Sequence, residues 1–213
     1  MGTIPADFEE AEQTVKDLLT PENAPILPAF PAITLDALLP GDMLLFYGLP
    51  EGNVVTERLC VNKFHCPFHP PFHAALYEID GLFHDVGQFT TNRLLGQEFR
   101  SGRRIDVIRY QMTDDQRKMV LQATILDTTV PKFGFNFTSY GLIDLAHFGF
   151  SFVGKGKEPV CSADAVQCEN KGGVVCSTGD PMNVAPFDLQ LYAAANPATC
   201  SQFTLWQGPD YHR

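Results

Sequence analysis

A chain of 213 residues with 45% hydrophobic side chains is long enough for one large domain with a buried core. Folding at this length buries roughly 70% of the surface an unfolded chain exposes. The 19% of charged residues excludes the disordered class. A net charge of −10, from 25 acidic and 15 basic residues, speaks against nucleic acid and anionic membrane surfaces as partners.

In chain order, residues 7–19 (DFEEAEQTVKDLL) place Phe8, Ala11, Val15 and Leu18 on one stripe at helical spacing, with acidic side chains in the first turn. Residues 20–40 carry Pro21, Pro25, Pro28, Pro31 and Pro40, which removes backbone donors and favours an extended arm. Residues 1–40 therefore read as an N-terminal helix and arm packed on a domain that spans 41–213. The N-terminus has no basic stretch followed by an apolar one, so no secretory signal is expected. A cytoplasmic protein, or one delivered by a phage particle or by non-classical secretion, fits that reading. No apolar run is long enough to cross a membrane.

Leu39-Pro40-Gly41-Asp42 is a turn, and Met43–Tyr47 is the strand that follows. Residues 48–72 read as a long loop with a short strand at Val54–Leu59. Strands are expected at His73–Ile79 and Leu82–Val86, joined by Asp80-Gly81, two residues that tolerate positive φ. Another strand is expected at Ile105–Tyr110, after a basic stretch, Arg100–Arg104, that reads as a solvated turn. Thr113 and Gln116 form a capping box for a helix running to about Thr128. Further helices are expected at Tyr140–Phe152, from Pro159 through Cys161, and at Phe187–Ala195 behind Pro186. Ser201–Trp206 closes the chain as a strand.

Three side chains stand out for chemistry. Cys161 falls in the first turn of a helix, where unpaired N–H groups and the helix dipole favour a thiolate and can hold an oxyanion. Its alternative reading is a small buried apolar residue. His73 opens an apolar strand, where its ring can stand at a sheet edge; a structural histidine is the alternative. His84 lies on the next strand. If the two strands pair about the Asp80-Gly81 turn so that Tyr77 faces His84, His84 shares the face of His73; diagonal neighbours lie roughly 7–8 Å apart, within reach of long side chains, so its ring is expected to approach and orient that of His73. Asp85 then points to the opposite face and ranks second for that role.

The order of these pieces resembles the circularly permuted NlpC-type papain-like cysteine hydrolases. The resemblance rests on Leu39–Phe46 (LPGDMLLF), His73–Tyr77 (HAALY) with a turn and His84, and Cys161–Val166 (CSADAV). Asn183–Leu189 (NVAPFDL) is similar to the T-P-x-D-L stretch seen late in those chains, with Ala185 in place of the threonine. The likeness covers about residues 39–206. It implies an α+β, permuted papain-like fold in which a small antiparallel sheet packs against the helix carrying the nucleophilic cysteine. It further implies Cys161 as nucleophile, His73 as base and His84 as third member. Lecithin retinol acyltransferase-like proteins share this order and also place a second histidine third.

The expected activity is hydrolysis of amide bonds by a cysteine peptidase or amidase, with a peptide or peptidoglycan fragment as partner and no cofactor. Acyl transfer or lipid and thioester deacylation by the same site is an alternative, as is a non-enzymatic binding module on the same scaffold. Two minor motifs remain. Cys60, His65, Cys66, His69 and His73 are close in sequence, but Cys60 and Cys66 are not at CxxC spacing and no second cysteine pair completes a zinc knuckle. The six cysteines read as free thiols, with Cys60–Cys66 or Cys176–Cys200 open to bridging if the protein leaves the cell.

Overall fold

Met43-Leu44-Leu45-Phe46-Tyr47 is apolar at every position, the pattern of a strand buried on both faces, and all five side chains are buried (β1, Met43–Tyr47). In this computed structural model, the described residues are 29–48, 71–86, 90–129, 161–178, 181 and 184–211. β1 lies inside a six-stranded antiparallel sheet with β2 (His73–Tyr77), β3 (Leu82–Val86), β4 (Thr90–Leu94), β5 (Arg104–Tyr110) and β6 (Cys200–Gln207). The strand order is β4-β3-β2-β1-β5-β6. Three α-helices lie among the described residues, α1 (Asp114–Thr129), α2 (Cys161–Lys171) and α3 (Pro186–Ala195), with short 3-10 turns at Leu35–Ala37 and Leu95–Glu98. The architecture is α+β.

Strand alternation sorts the core into two layers. Met43, Leu45, Tyr47, Ala74, Leu76, Ile108 and Tyr110 face the helices, where they meet Val120 and Ala123 of α1, Ala165 and Val166 of α2, and Leu189 of α3. Leu44, Phe46, Ala75, Tyr77, Phe83, Ile105 and Val107 face the other way, onto Leu38, Leu95 and the partly buried Phe72, Phe99 and Trp206. α2 packs on β2 and on α1.

Local signals account for the helix ends. Thr113 Oγ1 accepts from Gln116 N–H at 3.2 Å while Gln116 Oε1 accepts from Thr113 N–H at 2.9 Å, the reciprocal capping box. Asp188 accepts from Ala185 N–H at 2.8 Å, and Pro186 opens α3 where a backbone donor is not needed. Gly173, at φ 75°, closes α2, and Val174 N–H reaches back to Glu169 O.

Two sequence readings change. Arg100–Arg104 is not a solvated turn throughout. Arg104 is a buried residue of β5 whose Nε donates to Asp106 at 2.8 Å, and Arg103 pairs with the buried Glu98. β4 is an additional strand. Its polar sequence, TTNRL, lacks a hydrophobic alternation because it forms the sheet edge. Within the arm, Ala32 bridges Thr204 in parallel and Ile33 N–H donates to Thr204 O, so residues 32–33 lie along β6. The expected helices at 7–19 and Tyr140–Phe152, the strand at Val54–Leu59 and the cysteine-histidine stretch from Cys60 to His69 lie outside the described residues. Among the described residues no helix is long and apolar enough to cross a membrane.

Candidate active site

The β2–β3 connection decides which side chains meet. Asp80 and Gly81 both adopt positive φ (53° and 78°), and Leu82 N–H closes the turn onto Ile79 O. Leu82 O, however, accepts from Glu78 N–H rather than from Ile79 N–H. Two residues of the first strand therefore oppose one of the second, a bulge that shifts the register by one. Tyr77 pairs with Phe83, and Leu76 pairs with His84.

A one-residue shift turns every side chain of β3 to the other face. Asp85, not His84, shares the face of His73. The His73 Nε2 to Asp85 Oδ1 distance is 2.5 Å. Asp85 Oδ2 accepts from Arg93 Nη1 at 3.1 Å, and Arg93 also pairs with Glu98, which Arg103 holds from the other side. Glu98 is buried, so this chain of charges anchors Asp85 to the short helical turn after β4. Arg93 and Glu98 carry no motif that marks them in the sequence. Only the pairing of β3 with β4, Asp85 to Thr91 and Phe83 to Arg93, brings them in.

Cys161 is the first residue of α2 and is 2% exposed. Its thiol hydrogen-bonds the His73 ring. Because Nε2 is taken by Asp85, Nδ1 is the ring nitrogen left for sulfur. Ser162, the next residue, donates its hydroxyl to Val184 O at 2.5 Å, which ties the start of α2 to the segment leading into α3. Phe46 and Phe72 flank the imidazole at ring-centroid distances of 5.5 and 6.3 Å.

Electrostatics follow this geometry. Burial disfavours a charged His73 ring. The charge interaction with Cys161 and the hydrogen bonds to Asp85 and Cys161 outweigh it and raise the ring's pKa to about 10. Burial likewise works against the Asp85 carboxylate, but His73 and Arg93 lower its pKa to about 2. A protonated ring therefore lies between the Cys161 sulfur and an ionised carboxylate at neutral pH. Thiol, imidazole and carboxylate in series form an arrangement that activates a sulfur nucleophile.

His84 is the sequence candidate that the structure places elsewhere. It points to the helix side of the sheet, makes no hydrogen bond to His73, and sets Nε2 2.7 Å from Asp164 Oδ2 of α2 and 3.7 Å from Asp127 Oδ2 of α1. The hairpin bulge is the physical cause of this departure. Cys161, Cys168, Cys176 and Cys200 are buried and form no disulfide, so Cys176 and Cys200 carry no bridge. His84, Asp164 and Cys168 form a group of potential metal ligands. No family model matches the chain, and no curated protein matches it.

Proposed function

We propose that this chain is a thiol hydrolase of amide bonds on a permuted papain-like fold, with Cys161 as nucleophile, His73 as base and acid, and Asp85 as the residue that orients the ring. The observation that carries this reading is the shared imidazole: one face of its chemistry meets the Cys161 thiol, the other the Asp85 carboxylate. The order of the parts, histidine strand before cysteine helix, supports the permuted form of the fold.

The steps follow from these positions. With the proton already held on His73, the Cys161 sulfur attacks the substrate carbonyl carbon as the thiolate. The oxyanion that forms is held by unpaired N–H groups at the start of α2. Collapse breaks the C–N bond, the amine leaves with the proton from His73, and a thioester remains on Cys161. His73 then takes a proton from water, the resulting hydroxide attacks the thioester, and collapse breaks the C–S bond, so that the acid departs and the Cys161 sulfur returns to its starting state beside the protonated ring. A ring pKa raised to about 10 suits the acid half of this cycle, because the proton is in place when the amine leaves.

The resemblance directs the substrate search to short peptides of peptidoglycan. Incubation of the purified chain with muropeptides, read by mass spectrometry, is expected to yield cleaved stem peptides. Cys161→Ala is expected to abolish that cleavage with an unchanged circular dichroism spectrum. Cleavage by Cys161→Ala at the wild-type rate would sink the proposal. Release of acyl chains from esters, with amides untouched, would move the same site to acyl transfer.

A further inference from the structure

Glu98 ends the 3-10 turn after β4 and is 1% exposed. A glutamate is buried this fully only when it is paired. Each of its oxygens accepts from a different guanidinium, Oε1 from Arg93 Nη2 and Oε2 from Arg103 Nη1. It makes no hydrogen bond to His73 or to Cys161.

Both guanidiniums lead back to the imidazole. Arg93 spans two carboxylates with one planar fork, donating from Nη2 to Glu98 and from Nη1 to Asp85 Oδ2 at 3.1 Å. Asp85 Oδ1 then stands 2.5 Å from His73 Nε2. On the other arm, Arg103 lies over the Phe72 ring, 5.5 Å from its centroid. Phe72 is stacked beside His73 at a centroid distance of 6.3 Å and an interplanar angle of 27°. These contacts close a circuit, His73–Asp85–Arg93–Glu98–Arg103–Phe72, and Glu98 is its member farthest from the imidazole along either arm.

We propose that Glu98 is a positioning residue for the His73 imidazole, acting through Arg93 and Asp85 on the ring's edge and through Arg103 and Phe72 on its face. Its consequence for catalysis rests on the hydrolase reading, whereas its hold on the ring rests on this geometry alone. The side chains of Arg93 and Arg103 are 40% and 26% exposed, so burial does not fix them. Long side chains of this kind lose rotamer freedom on being ordered, and water competes for their donors. A buried carboxylate shared between the two supplies the fixed point. Without it Arg93 is free to turn to solvent, and Asp85 loses the donor that holds Oδ2. Misplacing a catalytic group by about 1 Å costs roughly a hundredfold in rate. Glu98 also adds a negative charge on the His73 side of the sheet, which favours the protonated ring. The other charged and titratable groups around this circuit are Arg100, in the turn before β5, and Cys161, at the start of α2.

The test uses the full chain and two readouts. The first is titration of the His73 ring by NMR, assigned with His73→Gln, which needs no substrate. The second is muropeptide cleavage. Glu98→Gln keeps the side-chain shape and removes the charge. It is expected to lower the titration midpoint of the ring by about one pH unit. It is also expected to lower kcat about ten- to a hundredfold with KM little changed. Arg93→Lys keeps a charge but cannot hold two carboxylates at once, and is expected to change both readouts in the same direction, with about a tenfold loss of kcat. Arg117→Ala, at the other end of β1, is the control for lost stability and is expected to lower the urea midpoint while leaving both readouts as they are. A folded Glu98→Gln chain with wild-type titration or wild-type kcat overturns the proposal, and so does a loss no larger than that of Arg117→Ala. If Glu98→Gln does not fold, Arg93→Lys decides, and wild-type behaviour there overturns the proposal. A wild-type chain that cleaves no muropeptide counts against the hydrolase reading alone, and the ring titration then decides the role of Glu98.

Discussion

Asp85 and His84 are neighbours in sequence and opposites in setting. Asp85 is held by His73 and Arg93 at the end of a charge chain, whereas His84 sits between Asp164 and Asp127. Asp85→Asn is expected to lower kcat about a thousandfold with little change in KM, because the ring loses the carboxylate that orients it and offsets its charge. His84→Ala is expected to act mainly on stability, by roughly 3 kcal/mol in urea unfolding, since it strips a partner from buried carboxylates. If the two variants exchanged these effects, Asp85 would not be the orienting residue. Stability is also expected to follow pH with a defined sign. His73 is raised from 6.5 to about 10, so its contribution is complete below about pH 6.5 and is lost as pH rises through about 10. Asp85 is lowered from 3.8 to about 2, so its contribution is present above about pH 3.8 and is lost as pH falls through about 2. Urea midpoints measured from pH 6 to 10 are expected to decline, and to decline less in His73→Gln.

Single elements owe their form to a few backbone contacts. The bulge at Glu78–Ile79 sets which face of β3 meets the helices, and Gly173 ends α2. Gly208 closes the pairing of β6 with β5. Its N–H donates to Arg103 O at 2.8 Å, and a Cβ there would stand 2.0 Å from Ser101 O and 2.5 Å from Arg100 O. Backbone atoms offer no easy escape, so Gly208→Ala is expected to cost about 3 kcal/mol, read as a lower urea midpoint. A neutral outcome would show that the 100–103 turn moves freely from β6.

Across the molecule, Asp42 is the main polar tie. It is fully buried at the start of β1, accepts from Arg109 at 2.6 and 2.9 Å and from Leu39 N–H at 2.9 Å, and lies 3.7 Å from Arg117 of α1. One carboxylate thus links the entry turn, the central strand, β5 and the first helix. Asp42→Ala leaves two guanidinium groups facing a buried void and is expected to destabilise the chain by roughly 3–5 kcal/mol, more than either Arg109→Ala or Arg117→Ala. Chemical denaturation of the three variants gives the comparison.

Local chemistry alone determined much of this protein. Continuous apolar runs marked β1 and most of β2, Asp80-Gly81 marked the hairpin, and Thr113 with Gln116 marked the start of α1. Pro186 marked the entry to α3. Cys161 and His73 were also legible, the first from its helix start and the second from its place at a strand mouth. These signals lie within a few residues of the feature they specify, so no distant contact is needed to read them. Tertiary structure decided the rest. The partner of His73 depended on a one-residue bulge set by hydrogen bonding between two strands, and amino-acid type at Glu78 and Ile79 does not announce it. Arg104 became a core residue because Asp106 and Thr204 received its guanidinium. The cluster of His84, Asp127, Asp164 and Cys168 spans more than eighty residues of chain, and only the packing of α1 and α2 on one sheet face brings those side chains together.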